Sequence, residues 1–215
     1  MTSKSVFTKI YKEKIWGDYG DDFFSGGGSV MVDDYINFII SFINENNVTR
    51  VVDCGCGDFR IMNQITKALP KLYYHGIDIV DPLIDYNRMR YGSDKIKFDR
   101  INIIEKELPS GDLMVIKQVC QHLSNSQILK ILKKLKKYKF VLISEHLPKG
   151  NFQPNIDKWQ GPGIRLDKNS GVLISEPPFN INCELVLSID QPKHRTKRGE
   201  MVETCVNTYL MRNFD

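Results

Sequence analysis

No stretch of this chain is apolar for the roughly 20 residues that a membrane-spanning helix needs, and segments such as 35–43 are interrupted by polar residues. No membrane span is expected. Residues 1–14 are polar and hold no apolar run of about 7 to 15 residues, so a secretory signal is not expected and the cytoplasm is the expected compartment. Cysteine is sparse and odd in number. Cys54, Cys56, Cys120, Cys183 and Cys205 show no CxxC spacing, which argues for reduced thiols and against a bound metal. A strong charge of one sign is missing as well: 30 Lys and Arg stand against 26 Asp and Glu, net +4, so a nucleic-acid partner is not required. The lysines of LKKLKKYK, residues 132–139, alternate with apolar residues at helical spacing and read as the solvated side of a helix. Internal repeats and low-complexity tracts are absent too.

What is present is the balance of a globular protein, 41% apolar and 26% charged, and 215 residues suit one domain spanning 1–215. From residue 47 onward, β-rich runs at 49–53, 72–79, 96–103, 111–119 and 139–144 alternate with helical patterns at 60–68, 82–91 and 124–137. Ser124 is the expected cap of the last helix. Such alternation is that of parallel strands joined by crossover helices. Residues 184–190 and 200–212 read as two final strands joined by the basic QPKHRTKRG, an antiparallel hairpin that brings the sheet to seven strands. The expected fold is therefore α/β, a doubly wound, mostly parallel sheet with a C-terminal antiparallel hairpin. Prolines and glycines break regular elements between 147 and 182, an insertion expected to form a lid. Residues 1–46, with a helix over 32–44, form an N-terminal segment.

The most informative segment is VVDCGCGDF, residues 51–59, in which a strand runs through a glycine turn into a helix. Gly55 and Gly57 let the backbone turn tightly and approach a ligand, while the helix beginning near Asp58 presents free amides. A GK[ST] ending is missing, which disfavours ATP. A GxGxxG fingerprint fails at Arg60, which makes NAD secondary. The second strand ends in HGIDIVD, placing Asp78 at a carboxyl edge about twenty residues after the glycine turn, where an acid accepts hydrogen bonds from ribose hydroxyls.

VVDCGCGDF followed by GIDIV resembles the first two motifs of class I S-adenosylmethionine-dependent methyltransferases, which implies a Rossmann-like sheet and S-adenosylmethionine as cofactor. On that resemblance Asp53, Gly55, Cys56, Gly57, Asp78 and Ile79 belong to the cofactor site. The family's third strand ends in an acidic or amide residue near the adenine; here that place falls on Asn102, with Ile103 beside it, and Asp99 is a second candidate. KQVCQHLS, residues 117–124, resembles the segment that lies beside the methionine part, which implies Lys117 and Gln118 as cofactor contacts and His122 as an active-site residue. The leader IYKEKIWGDYGDDFFSGGGSV resembles that of a subset of small methyltransferases with an aromatic plus SGxGS pattern. It places Ser25, Gly26, Gly28 and Ser29 where backbone amides meet a carboxylate, with Tyr11 and Trp16 as flat apolar cover. Residues 1–46 thereby become a cofactor cap.

Transfer of a methyl group from sulfur rests on holding the acceptor in line, and a hydroxyl acceptor adds a proton to remove, for which His122 is suited. The fifth strand delivers SEHLP, so Glu145 and His146 are further candidates at the acceptor, with Asp157, Trp159 and Arg165 contributed by the insertion. The expected enzyme is a methyltransferase acting on a small-molecule or glycan-type acceptor, at oxygen. The alternatives are an RNA methyltransferase and a non-catalytic module that retains the cofactor fold. No appended RNA-binding domain and no NPPY-type signature are visible, which makes nucleic acid the less expected partner.

Overall fold

The computed structural model describes residues 2–18, 20, 23–26 and 32–213. Seven strands form one sheet in the order β3-β2-β1-β4-β5-β7-β6. They are β1 (Arg50–Cys54), β2 (Tyr73–Asp78), β3 (Ile96–Arg100), β4 (Leu113–Lys117), β5 (Phe140–Pro148), β6 (Glu184–Arg195) and β7 (Met201–Arg212). The helices are α1 (Ser3–Lys12), α2 (Val32–Glu45), α3 (Arg60–Ala68), α4 (Asp81–Tyr91) and α5 (Asn125–Leu132). The Rossmann-like α/β sheet with an antiparallel end is as expected. Contacts gather into two units, residues 1–115 and 116–215.

In the first unit β1, β2 and β3 run parallel, and β1 also pairs in parallel with β4 through Val51↔Leu113. Strand order thus reverses beside β1, the place where open α/β sheets bind ligands at their carboxyl ends. Val51, Val52, Ile77, Leu113 and Met114 are buried because the sheet is covered on both faces. β3 ends at Arg100, short of the expected residue 103, because Asn102 starts a turn: its Oδ1 accepts from Ile104 N at 3.1 Å and its carbonyl from Glu105 and Lys106 N. α1 was not expected. Its N-cap is Thr2, whose Oγ1 accepts from Ser5 N, and only Ile10 of its residues is buried, so the sequence offers almost no apolar period to read.

In the second unit β7 is antiparallel to both β5 and β6. β5 runs on to Pro148 because β7 pairs with it over its whole length, Phe140↔Arg212 to Pro148↔Thr204. β6 likewise continues to Arg195, so most of the expected basic connection is strand. α5 stops at Leu132 and gives way to a separate 3₁₀ turn at Leu135–Lys137, so the expected helix over 124–137 is split. Its capping box is complete, with Ser124 Oγ and the Gln127 side chain each satisfying the other's backbone amide.

The segment 147–182 is folded rather than open. Leu166, Ser170, Val172 and Ile174 are fully enclosed, and the Asn155 side chain bonds the backbone of Leu173, Glu176 and Pro177. Arg165, 2% exposed, donates to the carbonyls of Cys120, Gln121, Leu123 and Ile156 and to Asn125 Oδ1. Among the described residues no helix is long and apolar enough to cross a membrane.

Candidate functional site

After β1 the chain turns through Gly55 and Gly57, at φ 76° and 53°. The amides of Gly55 and Cys56 donate to Ile77 O at 2.8 and 3.1 Å, which fastens the turn to β2. Phe59 then takes a left-handed φ of 63°, which costs a non-glycine residue about 1–2 kcal/mol. Its ring, enclosed by Tyr74, Tyr91 and Phe98, offsets this through burial worth about 2–3 kcal/mol. Asp53 is buried and accepts the Tyr74 hydroxyl at 2.7 Å.

Asp78 Oδ1 accepts from Ile79 N at 2.7 Å and Val80 N at 3.1 Å, and Oδ2 from Gly57 N at 3.3 Å. Burial raises its pKa, and these three amides oppose the rise. A carboxylate offers roughly four lone-pair positions, so one on Oδ2 is left for a ligand hydroxyl, and a second hydroxyl would displace the long Gly57 contact.

The leader is seated on this turn. Ser25 N donates to Asp58 Oδ2 at 2.9 Å, Asp58 N donates to Ser25 Oγ at 2.8 Å, and the Tyr11 hydroxyl is 2.9 Å from the same Oγ. A Cβ on Gly57 would overlap Ser25, which makes glycine obligatory there for space as well as for φ. Trp16 meets Tyr11 edge-on at 5.4 Å and lies beside Gly26. Phe23 bridges Tyr11 to Tyr86 of α4, and Lys4 pairs with Asp81 at 2.6 Å. Gly28 and Ser29 lie outside the described residues. Beside the turn, Asn102 spends its Oδ1 on Ile104 as described, Ile79 is half-buried and Ile103 buried. Asp99 is withdrawn from ligand contact, its two oxygens bound by His75 and Arg88 at 2.8 Å each.

In the second unit, Lys117 Nζ donates to Gln118 Oε1 at 2.7 Å. Gln118 adopts φ 56° and its amide donates to Ser144 O at 2.7 Å. A left-handed glutamine at a strand end is a strained backbone of the kind found at functional sites. A 3₁₀ turn, Cys120–His122, follows. His122 Nδ1 is 3.2 Å from Gly161 O, and Nε2 is 3.3 Å from the Gln121 amide nitrogen. A carbonyl can only accept and the amide nitrogen only donate, so the proton sits on Nδ1 and Nε2 carries the lone pair. Burial, then the charge of Lys158, lowers the His122 pKa to about 4 against the pull of nearby carbonyls.

Glu145 and His146 do not act side by side. Consecutive strand residues point to opposite faces, and Glu145 accepts from Cys120 N at 2.8 Å and Gln121 N at 3.0 Å while His146 Nε2 is 2.9 Å from Thr204 Oγ1. Glu145 is fully enclosed; burial pushes its carboxyl up to about 7, opposed by the two amides and by Arg165. It therefore positions the His122 turn rather than touching an acceptor. His146, its pKa lowered to about 4 by burial, is bound to the hairpin. Arg165 is likewise a buried tether, Asp157 caps Asn125 N at 2.8 Å, and Trp159 is 91% exposed.

The family model of the O-methyltransferase domain matches residues 29–141, more than half of the chain. The chain belongs to the O-methyltransferase domain family. No curated protein matches it in sequence. Among solved structures, this O-methyltransferase domain is similar to the N-methyltransferase NodS from Bradyrhizobium japonicum WM9 in complex with S-adenosyl-L-homocysteine, at TM-score 0.61 and 11% identity, covering 96% of this chain and 99% of that one. It is also similar to magnesium protoporphyrin IX methyltransferase from Synechocystis PCC 6803 with bound S-adenosylmethionine, at TM-score 0.55 and 12% identity over 97% of each chain. A third is the plantazolicin methyltransferase BpumL, at TM-score 0.50 and 16% identity, covering 66% of this chain and 57% of that one. At such identities the likeness is one of fold. The domain is a class I S-adenosylmethionine-dependent methyltransferase, as the motifs implied.

Sequence reasoning missed Asn87 in this O-methyltransferase domain. Its Nδ2 donates to Gly57 O at 2.8 Å from a fully buried position on α4 and holds the glycine turn from below. The signal was a polar residue at a core position: Leu83, Ile84 and Asn87 share one helix face. Among the described residues no group of three or more His, Cys, Asp and Glu could hold a metal.

Proposed function

We propose that this methyltransferase transfers a methyl group to a hydroxyl oxygen of a small-molecule or glycan-type acceptor. The match to the O-methyltransferase domain family over residues 29–141 carries the reading. The residues present suit the cofactor: a glycine turn with positive φ, an acid with an open lone pair at the end of β2, and an aromatic leader on the turn. S-adenosylmethionine supplies, when bound, a methyl group on a sulfonium sulfur. Gly55, Cys56, Gly57, Asp78 and Ile79 hold its nucleoside, with Asp53 fixing β2 through Tyr74. Asn102 and Ile103 hold the adenine side, and Trp16, Ser25 and Gly26 the methionine end.

His122 Nε2 carries the lone pair, which can accept a hydroxyl proton once the acceptor displaces the long 3.3 Å contact with the Gln121 amide, and at neutral pH the ring is uncharged. A base whose conjugate acid has a pKa of about 4 is weak toward a hydroxyl, so His122 orients the acceptor O–H by hydrogen bonding more than it removes the proton outright. The test is incubation with methyl-labelled S-adenosylmethionine and a panel of hydroxylated small molecules, oligosaccharides, amines and RNA. Label on oxygen of a small molecule or glycan is expected. Label confined to nitrogen or to RNA overturns the reading.

A further inference from the structure

Lys158 stands in the loop that closes on His122 through Gly161, and its Nζ is enclosed with no hydrogen-bond partner among the described residues. The nearby acids are engaged elsewhere. Asp157 accepts from the amides of Asn125 and Lys158 itself at 2.8 Å each. Asp167 is held by His194 at 3.1 Å and Lys197 at 3.6 Å, and Glu145 by the amides of Cys120 and Gln121. The charges that act on Lys158 are mostly of its own sign: Arg165, Lys168 and Lys197, with Asp167 in opposition. An enclosed ammonium without a fixed counter-ion is costly unless an anion from outside the chain completes it.

A second orphan lies next to His122. Gln121 is 7% exposed, its amide nitrogen faces His122 Nε2, and its Oε1 has no partner among the described residues. Trp159, 91% exposed, belongs to the same loop as Lys158.

We propose that Lys158 recognises an anionic group, a carboxylate or a phosphate, on the methyl acceptor, while Gln121 Oε1 accepts a hydrogen bond from the same molecule beside His122. The inference rests on the methyltransferase reading and narrows the acceptor to an anionic one. It explains why Lys158 Nζ and Gln121 Oε1 remain unsatisfied while Glu145 and Arg165 in the same unit are bonded.

The test is thermal unfolding of the intact protein titrated with inorganic phosphate or with benzoate, ionic strength being held constant with chloride. A ligand at ten times its dissociation constant raises the Tm of a protein this size by about 3 to 5 °C. Such a rise with at least one anion is expected in the wild type, absent in Lys158→Gln and retained in Lys158→Arg. Phosphate alone assigns a phosphorylated acceptor and benzoate alone a carboxylated one. No rise in the wild type, or an equal rise in Lys158→Gln, overturns the proposal. Lys158→Met replaces Lys158→Gln if that variant does not fold. S-adenosylmethionine binding, measured separately by calorimetry, is expected to be unchanged in all variants; its absence in the wild type would refute the methyltransferase reading without touching the anion result.

Discussion

Asp78 sits at the carboxyl end of β2 with its oxygens turned toward the amides of Gly57, Ile79 and Val80, so it shapes the turn, and in the proposed function its remaining lone pair meets ribose. Asp78→Ala removes a charged hydrogen-bond acceptor, which is worth about 1.5–3 kcal/mol, or roughly tenfold to a hundredfold in affinity. Calorimetry with S-adenosylmethionine reads this directly, and an unchanged dissociation constant in a folded variant would place the ribose contact elsewhere. His122 calls for a different readout. On the proposed orienting role, His122→Ala is expected to lower kcat about tenfold to a hundredfold at unchanged cofactor affinity, at or below the lower end of full general-base contributions. Equal loss of cofactor binding would make it a structural residue. Glycine spacing and an acid at a strand end made the turn after β1 and the place of Asp78 at the end of β2 readable. The burial of Glu145 was not readable, because burial is a tertiary property: EH looks like a strand end in the sequence, and only the pairing of β5 with β7 shows that it lies inside the strand.

Two segments of irregular structure behave differently as elements. The leader is joined to the glycine turn by the exchange of hydrogen bonds between Ser25 and Asp58 and by Tyr11. Ser25→Ala leaves Asp58 N and the Tyr11 hydroxyl without their partner, at about 1–3 kcal/mol. Amide exchange in α1 should therefore accelerate in that variant while β5 and β7 keep their protection. Uniform acceleration would show that the leader is not a separate element. The segment 147–182 is expected to be protected before any ligand is added, because Arg165 ties it to the carbonyls of Cys120, Gln121 and Leu123 and to its own Ile156. Arg165→Leu strands those acceptors and should destabilise the protein by about 3–5 kcal/mol, read by urea unfolding. A change below about 1 kcal/mol would mean the carbonyls find other partners.

At the scale of the whole molecule, His122, His146, Glu145 and Asp78 all bear on the dependence of stability on pH. His122 and His146 have pKa values lowered to about 4, so the stability they contribute is present above their unfolded value and is lost as pH falls from about 6.5 through 4. Glu145, raised to about 7, acts in the opposite sense: the stability linked to its protonated form is present below about 4.3 and is lost as pH rises through 7. Asp78, also raised by burial, acts in the same sense as Glu145, so two carboxyls oppose the two histidines between pH 4.5 and 6.5. Glu145→Gln removes one opposing contribution, so its stability, though lower overall, should gain on that of the wild type over that interval. Urea midpoints at several pH values decide this; identical slopes in the two proteins would remove Glu145 from the account.

The sequence by itself determined the α/β alternation, the glycine turn, the acid after β2 and the antiparallel end, since each depends on residues close together along the chain. Strand periodicity, positive φ at glycine and helix capping are local physics. Only the tertiary structure decided what those local patterns meet. It put Asn87 under Gly57, Ser25 against Asp58, β7 between β5 and β6, and the orphan ammonium of Lys158 in the loop that closes on His122. Such pairings join residues 30 or more positions apart, as in Asn87 with Gly57 and Ser25 with Asp58, and burial by distant segments sets their energy. No periodicity records a partner at that separation, because the contact exists only once the intervening chain has folded.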